Sequence, residues 1–562
     1  MELLPGKLTQ GLKPSASIPN ANPENREAII LTLETAGTVL AVNRFAPGHC
    51  QGCSRCSLQS VVNRSSLAER MKVLLLYPEF PDTFWSFKHA LKFIRKKASI
   101  PPLGLLTVAA MLPRLWEKRL VDLNVRKLAE KDLRWADLVF ISAMIVQRES
   151  VKALIERCRS AGKTIVAGGP LFTNEHEQFA EVDHFVLNEA EPTLPEFLRD
   201  LERGCARSVY TSTEFPDIRR TPTPLWELAD LSRYASMSIQ YSRGCPFDCE
   251  FCDVTGKFGH RPRTKTAAQI IAELNGLHRL GWRGPVFFVD DNLIGNKRTL
   301  KTELLPALIE WQRSRRGIPF FTEASINLAD DEELMHLMAE AGFDQVFIGI
   351  ETPDESSLAE CNKRQNQGRN LIADVKRIQR AGLQVQGGFI VGFDSDTPRI
   401  FRRQVEIIQK SGIVTAMVGL LQAQAGTRLY ERLDRARRVI GGPTGDNADG
   451  TTNIIPAMGL DTLRDGYKRI LEYIYAPRHY YARVRTLLRE FKTPRIRVTL
   501  DWQRIKAFLR ASIRLGILGK ERFHYWRLLA WTCFRRPELL PEAVKFTIFG
   551  HHFRKICELH VL

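Results

Sequence analysis

The 562-residue sequence lacks any run of about 18 uncharged apolar residues, so no membrane-spanning helix is expected. Its most apolar early stretch, Ile29 to Val42, carries Glu34 and has neither a basic leader nor a small-residue cleavage site. A secretory signal is therefore not expected, and the reading is of a protein working in the cytoplasm. Cysteine is scarce and odd in number: 11 residues, with Cys158, Cys205, Cys361, Cys533 and Cys557 scattered singly and the rest in two tight groups. That pattern suits metal or cluster ligation in a reducing compartment better than a disulfide framework, which excludes most secreted classes. Acidic residues are short as well, 63 against 81 Lys and Arg, for a formal charge of +18.

What is present is two series of apolar strands alternating with helical patterns. Residues 1–70 are rich in Pro, Asn, Ser and Gly, show no sustained period and read as a loosely ordered extension. Within them His49, Cys50, Cys53 and Cys56 offer enough ligands for tetrahedral zinc, although a group ahead of the first strand reads more simply as incidental. A first domain over 71–204 opens on MKVLLLYPEFP (71–81). It continues through LVDLNV (120–125), DLVFISA (137–143), TIVAGGP (164–170) and HFVLNEA (184–190), strands of an open parallel α/β sheet. A linker over 205–236 holds Pro216, Pro222 and Pro224. A second domain over 237–459 carries six strands at regular spacing: SIQYSRG, then 285–292, 319–326, 345–352, 384–393 and 415–423. Helical patterns Thr266–Leu280, Asp331–Ala341 and Leu371–Gly382 lie between them, and six successive βα units predict a partial barrel with its chemistry at the carboxyl face. A basic helical domain occupies 460–562.

The sharpest motif is GCPFDCEFC (244–252), which spaces Cys245, Cys249 and Cys252 as C-x3-C-x2-C just after the first strand of the six. Three thiolates on one loop can hold three irons of a [4Fe–4S] cluster and leave the fourth open to a chelating ligand. A zinc site would need a fourth ligand, for which Asp248, Asp253 and His260 stand nearby. With Phe251 before the last cysteine, the motif resembles that of the radical SAM superfamily. In that family the open iron chelates S-adenosylmethionine, and electron transfer cleaves it to a 5′-deoxyadenosyl radical. The resemblance implies cofactor contacts at the strand ends: Asp290 and Asp291 with Asn292, Glu323, Glu351 toward the ribose or amino group, Gly388 and Ile390 toward the adenine, and Gln422 in the closing loop with Gln424.

The first domain then resembles the cobalamin-binding module of cobalamin-dependent radical SAM enzymes. It lacks the Asp-x-His-x-x-Gly motif whose histidine ligates cobalt; Asn124 stands in the histidine's place. The loops expected around the corrin and its nucleotide tail are Ser142 to Gln147, Gly168-Gly169-Pro170 and Glu189 to Glu191. With TGDNADGT (444–451) and YAPRHYYAR (475–483), the chain looks similar to methylases with a basic C-terminal helical domain, hopanoid C-2 methylases among them. The fold expected is α/β, a Rossmann-like cobalamin-binding domain, a partial (β/α)6 radical SAM barrel and a helical C-terminal domain.

The resemblance implies a methyltransferase using a [4Fe–4S] cluster, S-adenosyl-L-methionine and cobalamin to methylate an unactivated carbon, as of an isoprenoid or other lipid. One S-adenosylmethionine would methylate the reduced cobalamin and a second would supply the hydrogen-abstracting radical. An electron donor such as a flavodoxin or ferredoxin is a further expectation. The alternatives are a rearrangement or cyclisation without methyl transfer, and an RNA-modifying or RNA-binding protein with a structural cluster. The charge helps to rank partners. Residues 461–562 carry 22 Lys and Arg against 9 Asp and Glu, interleaved with aromatics such as Tyr475, Tyr480, Tyr481, Phe523 and Trp526. This reads first as a basic solvated face, second as contact with the inner membrane surface, and third as nucleic-acid binding, since no RNA-binding module accompanies it.

Overall fold

The apolar runs between Met71 and Leu421 form two parallel sheets in a computed structural model, which describes residues 70–561 apart from 316, 447 and 494–501. The His49–Cys56 group and all of the expected extension except Arg70 lie outside the described residues. Strands β1 (Lys72–Tyr77), β2 (Glu117–Asp122), β3 (Leu138–Ser142), β4 (Thr164–Gly168), β5 (His184–Val186) and β6 (Val209–Tyr210) form the first sheet. Their order is β2-β1-β3-β4-β5-β6, all parallel. Helices cover both faces, so the run Val73 to Leu76 is wholly buried: Leu74 and Leu76 pack with Val151 and Phe172, Val73 and Leu75 with Leu105 and Phe197. Each such side chain contributes roughly 2 kcal/mol. The strand order reverses between β1 and β3, which opens a crevice at their carboxyl ends.

The proline-bearing stretch after this sheet differs from a loose linker. It begins with β6, a two-residue strand too short to leave a pattern in the sequence, and buried side chains anchor it at intervals. Trp226 is 1% exposed, and Tyr234 donates a buried 2.9 Å hydrogen bond to Asp122 at the end of β2.

The second sheet starts at β7 (Met237–Ile239), which is followed by a small antiparallel ladder of β8 (Ser242–Arg243) and β9 (Arg263–Thr264). It continues with β10 (Val286–Phe288), β11 (Phe320–Glu323), β12 (Phe343–Glu351), β13 (Gln384–Val391) and β14 (Ala416–Leu420). The six long strands lie side by side in chain order and parallel, as an open partial barrel. Helices between them start where side-chain caps allow. Thr266 and Gln269 form a reciprocal cap on Ala267–Arg279, Asp331 caps Glu332–Ala341, and Asn370 caps Leu371–Arg380. Along β12, Val346, Ile348 and Ile350 are fully buried beneath the helices. The alternate positions, in register with Phe321, Gln386 and Gly388, face the lumen.

Among the described residues after Gly459, five α-helices follow, Leu460–Tyr475, Pro477–Glu490, Trp502–Ala511, Arg522–Arg535 and Leu540–His560. Here the structure corrects the expectation for the tail aromatics. Tyr475, Tyr480 and Tyr481 are buried rather than displayed, because hydroxyls of the first two reach backbone carbonyls, Ala416 O at 2.5 Å and Phe546 O at 2.7 Å. The last helix also holds the segment that follows β1. Phe84 stacks on Phe553 at 4.2 Å, His552 Nε2 donates to Phe84 O at 2.9 Å, and His560 donates to Asp82 O at 2.6 Å. That segment places Trp85 in the barrel lumen, 5.3 Å edge-on to Phe347, with its indole N–H 3.0 Å from Met417 Sδ.

Candidate active site

The cysteine loop rises from the carboxyl end of β7, and its base is fixed from below. Asp290, just after β10, accepts hydrogen bonds from Tyr241 N at 3.1 Å, from Ser242 N, and from Ser242 Oγ at 2.6 Å. Burial pushes this carboxyl up to about 7 against those three donors. Gly244 turns the chain at φ +97°, where a Cβ would lie 2.8 Å from Gly259 O. The pairing of β8 with β9 closes the loop. Its far side is tied to the helix Arg428–Arg435: Arg428 pairs with Asp248 at 2.9 Å, and Arg432 bridges Glu250 at 2.7 Å, Glu360 at 3.3 Å and Asp394 at 2.9 Å.

The three thiols stand unpaired within this frame. Asn292 Nδ2 points at Cys245 Sγ (3.8 Å), and Gln365 Nε2 at Cys249 Sγ (3.6 Å). Burial raises the Cys245 thiol and pushes that of Cys252 up to about 12, so the thiolate forms need positive charge close by. Lys363 supplies some. Burial works against its charge, but Glu351 at 2.7 Å and the nearby Cys249 hold the ammonium firmly protonated. Among the described residues no three His, Cys, Asp or Glu side chains converge on one ion. A cluster takes one thiolate per iron, so its cysteines need not converge on a single ion. Two of the candidate fourth zinc ligands are also committed elsewhere, Asp248 to Arg428 and Asp253 to Lys257.

The end of β12 is a built irregularity. The ladder slips between Gly349 and Glu351, and Glu351 takes a left-handed φ of +60°, rare for a non-glycine residue. Two carboxamides absorb the carbonyls this turn exposes: Asn366 Nδ2 donates to Gly349 O and Ile350 O, and Gln404 Nε2 to Glu351 O and Ile390 O. Gly349 leaves the room, since a Cβ there would come within 2.2 Å of Glu351 Oε1 and 2.9 Å of Lys363 Nζ. The sequence reading passed over Lys363, Gln365, Asn366 and Gln404. The first three leave a trace in the polar cluster NKRQN (362–366) beyond the fourth strand, and Gln404 leaves none.

The other expected positions fall into two groups. Facing the mouth are Asp291, open to solvent, and Glu323, in register with Phe347. Burial, with Asp291 and Asp290 near, pushes the Glu323 carboxyl up to about 8. Gly388 makes space for the Phe347 ring, which a Cβ would meet at 2.8 Å, and Ile390 packs near Phe251. Gln422 donates to Asp446 O and Thr451 O and so holds the 444–451 loop.

Residues of the first sheet are more inward-looking. Asn124 accepts from Phe80 N at 2.8 Å and donates to Pro78 O and Asp122. Gln147 donates to Pro78 O and accepts from Met144 N. Both shape the rim of the β1–β3 crevice. Gly169, at φ +90°, lets its turn sit against Ser142 and Ala143, and a Cβ on Gly168 would come within 2.6 Å of Val186 O. Glu189, expected around the corrin and its nucleotide tail, lies between Arg243 of β8 and Arg263 of β9, while Glu191 pairs with Arg243 at 2.9 Å. The carboxyl ends of the two sheets thus meet at a buried ion cluster. They meet again where Arg148 binds Pro443 O and Gly445 presses on Ile145 and Val146.

This geometry fits the groups that the sequence implied. Three thiols on one loop, two of them faced by amide donors, suit a cluster. The crevice of the first sheet is glycine-cradled, and beyond the last strand of the barrel Gln422 and Gln424 leave carboxamide oxygens buried without partners, acceptors that suit a large amide-bearing ligand such as cobalamin. A parallel open barrel with a three-thiol loop at its mouth, joined at that mouth to a flavodoxin-ordered sheet, defines a radical enzyme class built for a cluster with its chelated ligand and for a second large cofactor. Comparison with known proteins agrees. Residues 239–403 match the model of the radical SAM superfamily, 95–198 that of the B12 binding domain, and 427–561 a domain of unknown function. An uncharacterised methyltransferase of Synechocystis sp. is 40% identical over 87% of this chain and 92% of its own length. The hopanoid C-2 methylase of Rhodopseudomonas palustris is 34% identical over 86% and 92%. Among solved structures, the cobalamin-dependent S-adenosylmethionine radical enzyme OxsB shares the fold with a TM-score of 0.56 at 16% identity, covering 87% of this chain and 80% of its own. The radical methyltransferase TsrM of Kitasatospora setae does so with 0.53 at 15%, covering 87% and 100%. The chain belongs to the cobalamin-dependent radical SAM methyltransferases, whose cofactors are a [4Fe–4S] cluster, S-adenosylmethionine and cobalamin.

Proposed function

We propose that this methyltransferase adds a methyl group to an unactivated carbon of a hydrophobic substrate, an isoprenoid or related lipid. The observation that carries this reading is the lumen, walled by Phe287 stacked on Phe321 at 4.7 Å, by Phe347, and by Trp85 against Met417. Such a wall receives an apolar skeleton without asking it to give up hydrogen bonds. The lipid-directed name of a relative covering most of the chain supports the same direction.

When bound, the cluster supplies the electron that cleaves S-adenosylmethionine, and cobalamin supplies the methyl group. The chain's own residues hold and orient. Cys245, Cys249 and Cys252 would ligate the cluster, Asn292 and Gln365 would donate to the sulfurs of Cys245 and Cys249, and the Glu351–Lys363 pair would offer a carboxylate oxygen to the bound cofactor. Asp291 and Ile390 would border the nucleoside, Gly388 would seat the Phe347 ring beside it, and Asp290 braces the loop from below. Glu323, with a carboxyl that stays largely protonated near neutrality, can donate a hydrogen bond into the lumen. Ser142, Gly168 and Gly169 line the cobalamin crevice, with Asn124 and Gln147 shaping its rim. An electron carrier such as a flavodoxin or ferredoxin completes the system.

The test is anaerobic turnover with cobalamin, reductant and S-adenosylmethionine, together with lipid extracts of cells with and without the protein. Both 5′-deoxyadenosine and S-adenosylhomocysteine should form, and a lipid heavier by one methylene should appear. Deoxyadenosine with no S-adenosylhomocysteine would refute methyl transfer. Both products with an unchanged lipid profile would refute the substrate class. Replacing the three cysteines by alanine should remove iron and both products.

A further inference from the structure

Among the described residues, more than half of the exposed large apolar side chains lie in one stretch, 502–534. Trp502, Ile505, Leu509, Ile513 and Ile517 recur at helical spacing along Trp502–Ala511 and its continuation to Ile517, with exposures from 37% at Ile505 to 70% at Trp502. The next helix, Arg522–Arg535, repeats the pattern with Phe523 and Phe534, exposed to 75% and 88%. The two are joined, since Trp526 donates to Gly516 O at 2.9 Å and Tyr525 bonds Ser512 at 2.9 Å. Isolated exposed apolar residues need no explanation, but a stripe on two adjoining helices does.

The charge around the stripe says what covers it. Residues 502–535 hold eight Lys and Arg against Glu521 alone, and Glu521 is buried against Arg554. Lys506, Arg514, Lys520, Arg522, Arg527 and Arg535 are exposed among the apolar positions. Lys506 lies over the Trp502 ring at 5.9 Å and Arg522 over Phe523 at 5.0 Å. A second copy of the chain seated on this face would set like charges against like. A bilayer with anionic headgroups accepts both components, the apolar side chains at the acyl boundary and the basic heads at the phosphates. No helix among the described residues is long and apolar enough to cross a membrane, so the contact lies in the interface plane.

We propose that the two-helix face 502–535 docks the protein flat on an anionic lipid surface. This goes beyond the catalytic reading, and vesicles without substrate test it separately. In flotation assays the full-length protein should rise with phosphatidylcholine vesicles containing about 30% phosphatidylglycerol, should stay down with pure phosphatidylcholine, and should be released in about 0.5 M salt. Leu509→Ser/Ile513→Ser/Phe523→Ser should weaken binding at least about tenfold, as should Lys506→Glu/Arg522→Glu, which leaves the apolar side chains in place. No flotation of the wild type, or flotation unchanged in the charge-reversed variant, would overturn the proposal. So would a dimer in sedimentation velocity that both variants dissociate, because the face would then be a protein interface.

Discussion

Consider removing the carboxylate of Glu351 while keeping its shape, Glu351→Gln. The Glu351–Lys363 pair is 2.7 Å long, with side chains only 8% and 12% exposed. At an effective dielectric of about 20 the pair attraction is roughly 6 kcal/mol, most of it repaying desolvation. Unpairing the ammonium alone should therefore cost about 3 kcal/mol, the lower end for a buried pair. A loss of that size in a barrel of this length lowers the thermal midpoint of its transition by about 6–12 °C. Lys363→Met should cost a similar amount, leaving the carboxylate stranded on a left-handed residue. The double variant is the decisive one, since it removes both charges and leaves none unpaired, so its loss should fall well below the sum of the two. The assay is differential scanning calorimetry of the apo protein under reducing conditions, with S-adenosylmethionine binding measured in parallel to separate cofactor contact from stability. Strictly additive losses, or single variants within about 1 °C of wild type, would refute the argument that this pair is a buried, mutually dependent unit.

Other outcomes follow from the same geometry. Glu189→Gln should leave Arg243 and Arg263 without their shared anion, costing about 3 kcal/mol and loosening the junction of the sheets; calorimetry and retained cobalamin after desalting would report it. Asn292→Leu and Gln365→Leu should keep iron content but shift the cluster's midpoint potential downward by tens of millivolts, read by spectroelectrochemistry. Glu323 has a carboxyl raised to about 8, so between its unfolded pKa and 8 the native state holds the extra proton and stability falls as pH rises. Glu323→Gln should thus melt higher than wild type at pH 8–9 and equally near pH 4; a variant less stable across that range would contradict the burial argument.

The strands could be read ahead because buried parallel strands write themselves as short apolar runs, and caps such as Thr266 with Gln269 mark where the helices begin. The cysteine loop was equally legible, since all three ligands lie within eight residues. The supports of the site were not. Gln404 acts 53 residues from the carbonyl it satisfies, and no local pattern announces such a partner. The positive φ of Glu351 is likewise a product of the bulge and its two carboxamides, not of any preference of glutamate. Glu189 could be placed at a strand end, but its arginines come from a different sheet. For the tail tyrosines, periodicity assigned a helix without telling which face another helix would cover.

The stacking of Phe84 on Phe553 and the hydrogen bond from His552 to Phe84 O join residues more than 460 positions apart. During synthesis the first sheet can form early, but the segment bearing Trp85 has no seat until the helix Leu540–His560 has left the ribosome. The segment that carries Trp85 into the lumen is therefore secured late, and a chain stopped even twenty residues short should present a loosely closed, greasy barrel to the chaperones rather than a smaller version of the same fold.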